Sequence, residues 1–436
     1  MNLRAILFPA LLLSALAGQA ALAADADAAN PLEARIDQEV TKRAPGIIEL
    51  RHRLHQNPEL SNRETDTAAL VAERLRALGL EVKTGVAKTG VVGILRGGKP
   101  GPVVAVRADM DALPVTEQTD FPWKSTKRAT FGGQEVGVAH ACGHDIHTSV
   151  QLGVVEVLAA LKADLPGTIK FIFQPAEEGP PAGERGGAEV MIEEGVLDDP
   201  KPAAMFALHS SPELAVGQIG YTEGPTWAAV DQFIAKIKGK QSHGAYPHLG
   251  VDPVVIAAQA ILALQTIRSR TLPALTPSVV TVGIVRGGER FNIIPGEVHL
   301  EGTVRTYDDA ARATVERRMR EILDGVSRAG GGSFELEYQK NAPATLNDVE
   351  LSKKTRPALE RAVGKAGVID SEPVMGGEDF AYFANLVPSF YFRLGTTAPG
   401  TTSGGLHTPD FRADDSAVPV GMRVMARVLV DYLSRR

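Results

Sequence analysis

Five apolar runs, each bounded by turn residues, restrict the fold of this chain more than any other feature. They are "VVGILRG" (91–97), "PVVAVRAD" (102–109), "TIKFIFQP" (168–175), "AMFALHS" (204–210) and "SFYFRLGT" (389–396). Near-continuous apolar runs of this length read as strands covered on both faces, and helical stretches between them imply parallel neighbours. Helical patterns are expected over 33–55, 64–79, 148–162 and 187–195. The predicted class is α/β, a mostly parallel sheet sandwiched by helices.

Residues 228–340 follow another rhythm. "AAVDQFIAKIKG" reads as a strand, 252–269 as a helix, 278–288 and 297–307 as strands, 308–330 as a helix and 333–339 as a strand. The order β-α-β-β-α-β is that of a ferredoxin-like unit. The expected organisation is a catalytic body over 24–225 and 341–436, interrupted by a small α+β insert over 226–340.

Residues 1–23 read as a signal peptide: Arg4, an apolar run from Ala5 to Ala17, and Ala21-Leu22-Ala23 as a small-x-small cleavage site. The run is too short for a membrane span and contains Pro9. The mature chain is expected to be soluble and exported, periplasmic or secreted. A net charge of −6 on 436 residues argues against nucleic acid and against an anionic membrane surface.

Export makes the lone Cys142 conspicuous, because exported proteins generally use cysteines in pairs. It lies in "HACGHDIH" (140–147), beside three of the ten histidines and an aspartate. Such a stretch suits a metal cluster or, alternatively, a polar loop with a histidine capping a helix. Position favours the cluster. Asp109, the pair Glu177-Glu178 and His209 follow or end strands, His407 lies in a loop after one, and the cluster opens a helix. In open α/β sheets ligands bind beyond the carboxyl ends of the strands. Thiolate, imidazole and carboxylate together suit zinc or a similar divalent ion.

The motifs "RHRLHQNPELS", "RADMDALP", "HACGHDIH", "FQPAEEG", "LHSSPEL", "NIIPGEVHLEGTVRT", "MGGEDFAYF" and "LHTPDF" occur in that order. With them the chain strongly resembles the dinuclear-metal aminoacylase/carboxypeptidase family. The branch it is most similar to holds hippurate hydrolases, N-acyl-amino-acid amidohydrolases and auxin-conjugate hydrolases. The resemblance implies two divalent ions per subunit (zinc, manganese, cobalt or nickel) held by Cys142, His144, Glu178, His209 and His407. It implies Glu177 as general base and Asp109 as the carboxylate that orients a ligand, His144. The insert becomes a lid and dimerisation domain. From it His243 would reach the partner subunit's site, with Asn292 and Arg305 holding the substrate's carbonyl or carboxylate. Arg107 departs from the wider family, which has a metal-binding histidine there. His140 and His147 are expected to act beside the ligands rather than as ligands, and His52, His55, His248 and His299 to be structural.

The expected activity is hydrolysis of N-acyl amino acids by a homodimer or higher oligomer. The rivals are a metallocarboxypeptidase or dipeptidase and, from another class, a non-catalytic metal- or solute-binding protein.

Overall fold

The computed structural model describes residues 30–435. The signal-peptide reading, with its cleavage after Ala23, lies outside them. Among the described residues no helix is long and apolar enough to cross a membrane.

The body opens with helix α1 (Glu33–Gln56) and strands β1 (Glu81–Val86), β2 (Gly90–Arg96) and β3 (Lys99–Asp109). Helix α2 (His144–Ala160), β4 (Pro166–Gln174), β5 (Ala204–Ala215) and β6 (Ile219–Tyr221) follow. The insert comprises β7 (Ala229–Lys238), β8 (Ser242–His243), α3 (Pro253–Thr266), β9 (Ser278–Arg286), β10 (Ile293–Ile294), β11 (Glu297–Thr306), α4 (Asp309–Ala329) and β12 (Ser333–Lys340). The chain returns to the body through β13 (Val368–Asp370), β14 (Ser389–Thr397) and α5 (Ala417–Ser434).

The eight-stranded sheet has the order β1-β2-β4-β3-β5-β14-β6-β13. Its centre, β4-β3-β5-β14, is parallel throughout, and so is the β6-β13 edge pair. The antiparallel pairings are β1-β2, β2-β4 and β14-β6.

The alternation of side chains along a strand explains why the sheet is covered twice. Val104, Val106, Phe171, Phe173, Phe206, Phe390 and Phe392 fall in one core with α1, α2 and α5. Their immediate neighbours Ala105, Ile172, Met205, Ala207 and Tyr391 fall in a second core with Met191, Phe380 and Phe383. Both parities are apolar, as a sheet buried on both faces requires.

The insert's sheet, β9-β11-β7-β12, is antiparallel throughout. Helices α3 and α4 close its two clusters, around Phe233, Leu264, Val315 and Met319 and around Ile237, Ile256, Leu300 and Leu323. Both helices start where their sequence dictates. Asp252 accepts from Val254 N at 2.9 Å ahead of Pro253, and Asp308 accepts from Ala311 N at 2.7 Å.

Candidate metal centre

The carboxyl ends of the parallel strands bring the predicted residues to one edge. Asp109 is the last residue of β3. Glu177 and Glu178 sit in the turn after β4, where Ala176 takes a left-handed φ of 51°. His407 also has a positive φ, 65°. Non-glycine residues in this region are strained and persist only where their surroundings hold them. Gly143 sets up the start of α2, with a φ of 83° that favours glycine. A Cβ there would lie 2.3 Å from Ser210 Oγ, so no other residue fits between Cys142 and His144.

His209 does not end its strand, as the sequence suggested. β5 runs on to Ala215 along β14, with His209 opposite Arg393. The pairing of β3 with β5 stops at Ala207, however, which frees His209 on that side.

The five predicted ligands converge. Cys142 Sγ is 3.4 Å from His209 Nε2 and 3.2 Å from His407 Nε2. His407 Nε2 is 3.1 Å from Glu178 Oε1, and His144 Nε2 is 3.9 Å from that same oxygen. Two overlapping donor groups result, Cys142-His144-His209 and Cys142-Glu178-His407, with Cys142 common to both. Cys142, His144 and His209 are buried, Glu178 is partly buried, and the His407 side chain is 54% exposed.

The donor set suits a cation on four counts. His144 Nε2 and Glu178 Oε1 are buried with no hydrogen-bond partner, an arrangement that costs free energy unless something is held between them. His209 passes its Nδ1 hydrogen to Ser210 O at 2.6 Å, and burial, then His147, keeps its imidazole neutral with the Nε2 lone pair free. Burial pushes the Cys142 thiol well up, and Glu178 and Glu177 push it further. A divalent cation held here would reverse that field, and Cys142 would ligate it as the thiolate. Burial alone would push the His144 imidazolium down, yet Asp109 and Asp111 outweigh it and raise it to about 10. Positive charge is favoured at this point.

The orienting carboxylates differ from expectation. Asp109 Oδ1 takes its hydrogen bond from His147 Nδ1 at 2.6 Å and stands 3.8 Å from His144 Nδ1. His144 is oriented by Asp111 instead, through its backbone oxygen at 2.8 Å and Oδ1 at 3.2 Å. His147 Nε2 accepts the Ser210 N–H at 2.7 Å, so both of its nitrogens are engaged. The other Asp109 oxygen is held by Arg107 at 2.6 Å. The Arg107 guanidinium is fully buried and also grips Gln174 at 2.8 Å, Glu378 at 2.9 Å and Asp379 at 3.0 Å.

Glu378, Asp379, Asp111 and Glu64 were not among the predicted site residues. The motif "MGGEDFAYF" already contained the first two. With Glu177 they form a three-carboxylate group against Arg107. Burial raises Glu177 well above the ordinary carboxyl range, Glu378, Glu178 and Asp379 add to it, and Arg107 opposes.

Around these residues opens a cleft of about 990 Å³ between body and insert. Arg305 lines it, with Val230 and Gln232 also from the insert and Asn341 just beyond it. Arg305 Nε bonds Thr303 Oγ1 at 3.1 Å, and the guanidinium forms no ion pair among the described residues. His243 and Asn292 are not in the lining. They lie together on the β8–β10 ribbon, where His243 pairs with Ile293 and Gly244 N bonds Asn292 O at 2.8 Å.

The other histidines divide. His140 is buried, burial pushes it down to about 4, and its Nδ1 is unpartnered. His55 bridges Asp145 at 3.0 Å and Glu117 at 3.1 Å, and His52 bonds Asp415 at 2.8 Å. His299 lies 3.5 Å from Glu301, and His248 sits in a short turn.

A sheet edge that gathers thiol, imidazole and carboxylate donors around a cleft defines a metal-dependent hydrolase of the α/β-plus-lid type. The chain belongs to Peptidase family M20/M25/M40, whose sequence profile matches residues 105–431. It is 39% identical over 372 residues to an N-acetyl-L-cysteine deacetylase of Bacillus subtilis, covering 85% of this chain and 84% of that one. It is 36% identical over 394 residues to thermostable carboxypeptidase 2 of Saccharolobus solfataricus, covering 89% and 96%. The crystal structure of the Bacillus subtilis YXEP protein, described as a dinuclear metal binding peptidase, superposes with a TM-score of 0.76 at 35% identity, covering 90% and 99%. The protein is thus an enzyme that hydrolyses amide bonds with divalent metal ions, and the reading as a non-catalytic binding protein falls.

Proposed function

We propose that the enzyme releases free amino acids from N-acyl amino acids. The observation that carries this reading is the divergence of two adjacent carboxylates. Both approach His144 Nε2, Glu177 to 3.8 Å and Glu178 to 3.9 Å, but Glu178 turns on to Cys142 and His407, whereas Glu177 lies along the cleft beside Glu378 and Asp379, 3.5 Å from Asp379 N.

Cys142, His144, Glu178, His209 and His407 would hold two ions. The ions supply Lewis acidity and lower the pKa of water at the site. Glu177 takes a proton from the attacking water as its oxygen bonds to the amide carbon. The same carboxyl hands that proton to the nitrogen as the C–N bond breaks, leaving a carboxylic acid and an amine. Arg305 binds the substrate carboxylate. His243 of a second copy donates to the developing oxyanion, with Asn292 beside it. Exposed apolar residues on the insert, among them Val255, Leu262 and the fully exposed Phe291, favour such a second copy. Catalysis is read as taking place after export, in the periplasm or outside the cell.

A second reading, cleavage of short peptides, rests on the likeness to the carboxypeptidase, since both substrates place an amide next to a free carboxylate. Kinetics on N-acetyl and N-benzoyl amino acids beside dipeptides of the same C-terminal residue decide between the two. Higher kcat/KM on the acyl series supports the proposal, and higher values on dipeptides overturn it.

A further inference from the structure

The early motif "RHRLHQNPELS" runs directly into a buried carboxylate, Glu64, that no step above uses. Glu64 is fully buried at the start of the helix Thr65–Ala77, yet its side chain makes no cap to that helix. It turns inward instead. Its Oε1 accepts the backbone N–H of Ala176 at 2.8 Å and of Asn62 at 3.0 Å, and its Oε2 accepts the Thr89 hydroxyl at 2.6 Å.

Ala176 precedes Glu177 and holds the strained φ of 51°. On the other side of Glu177, the N–H of Glu178 is held by Asp111 Oδ2 at 3.0 Å. Asp111 is in turn fixed by the Ser61 hydroxyl at 2.7 Å. One short segment, residues 61–64, therefore reaches both backbone amides that flank the base.

We infer that Glu64 is a positioning residue for Glu177: by holding the Ala176 amide it keeps the turn left-handed and aims the Glu177 carboxylate into the cleft. This rests on Glu177 being the general base. An alanine does not adopt this conformation unaided, whereas a buried carboxyl oxygen shared between two amides holds it there. The Asp111 bond to Glu178 is separate, so the metal donors keep their own support.

The test is a set of variants of the full chain, each scored for metal content, melting temperature, kcat and KM beside Glu177→Gln. Glu64→Ala is expected to lower kcat roughly tenfold to a hundredfold, as small misplacements of a reacting group do. Metal content and KM should stay close to wild type. Glu64→Gln keeps a carbonyl acceptor for the amides and should recover most of the loss. Ala176→Gly in the Glu64→Ala background should restore part of kcat, because glycine holds a positive φ without help. A purely structural role for Glu64 predicts no such rescue. If Glu64→Ala does not fold, Thr89→Val loosens the same carboxylate and should lower kcat in the same direction. Unchanged kcat in the folded variants overturns the inference, and so does joint loss of metal and activity, or retained metal with no rescue by Ala176→Gly. An active Glu177→Gln would refute the base assignment itself, whereas an inactive Glu177→Gln beside a fully active Glu64→Ala would refute only the role of Glu64.

Discussion

His144 Nε2 and Glu178 Oε1 face each other across 3.9 Å, both buried and both without a hydrogen-bond partner. The carboxylates around His144 favour positive charge there, and a bound cation would take the place of the proton between the two. Metal removal is therefore expected to lower the melting temperature, since binding to the folded state alone adds stability. Cys142→Ser should weaken metal binding strongly, a hydroxyl being a poorer ligand than a thiolate. Calorimetry with and without chelator, and elemental analysis of the variant, check both. Unchanged melting on chelation, or full metal content in Cys142→Ser, would contradict the ligand set.

His144 and His147 are three residues apart on α2 and are predicted to behave differently. His147 has both nitrogens engaged, to Asp109 and to Ser210 N, so it supports the centre without touching a metal. His147→Ala should weaken metal affinity by about 10–100-fold, the usual scale for such supporting bonds. His144→Ala should abolish binding at one of the two positions. Titration of the metal-free proteins distinguishes them, and equal loss in both would place His147 among the ligands.

Stability should carry a pH signature from His55. Burial pushes its imidazolium down, but Asp145 and Glu117 outweigh burial and hold it at about 9. An unfolded histidine titrates near 6.5. The folded value is the higher one, so the stabilisation is complete below about pH 6.5 and is lost as pH rises through about 9. Between about pH 7 and pH 10 the melting temperature of the wild type should fall more than that of His55→Gln. Parallel curves would mean that the ion pairs contribute nothing.

How far the sequence disclosed this site depends on the range of the interaction. The strands β3, β4, β5 and β14 were legible because each is apolar in both parities, and the donors at their ends were legible from residue type. Short edge elements such as β6 and β13 carry too few residues for a period and were missed. The partner of Asp109 is not legible in the sequence, because motif order places His144 and His147 equally near it and only the docking of α2 on β3 selects His147. Glu64, Glu378 and Asp379 reach the centre through contacts separated by roughly a hundred residues or more, to Ala176 and to Arg107. No local pattern announces such contacts.

The placement of His243 outside its own chain's cleft yields a complementation prediction. His243→Ala and Glu177→Ala proteins should each lose most activity while keeping metal. Mixed and allowed to exchange subunits, they should regain part of it, because one hybrid site carries both native residues. No recovery despite exchange, verified by two affinity tags, would rule out a residue shared between subunits.

The central claim is that Glu177 moves the proton while its neighbour Glu178 holds metal. Metal content and single-turnover rate of Glu177→Gln and Glu178→Gln, measured side by side, test it most directly. Glu177→Gln should keep its metal and its substrate binding while the rate falls by about 10²–10⁴-fold, the range for losing a general acid–base group. Glu178→Gln should lose metal and activity together. Metal loss in Glu177→Gln with retention in Glu178→Gln would reverse the two roles, and metal and activity retained in both would contradict the mechanism.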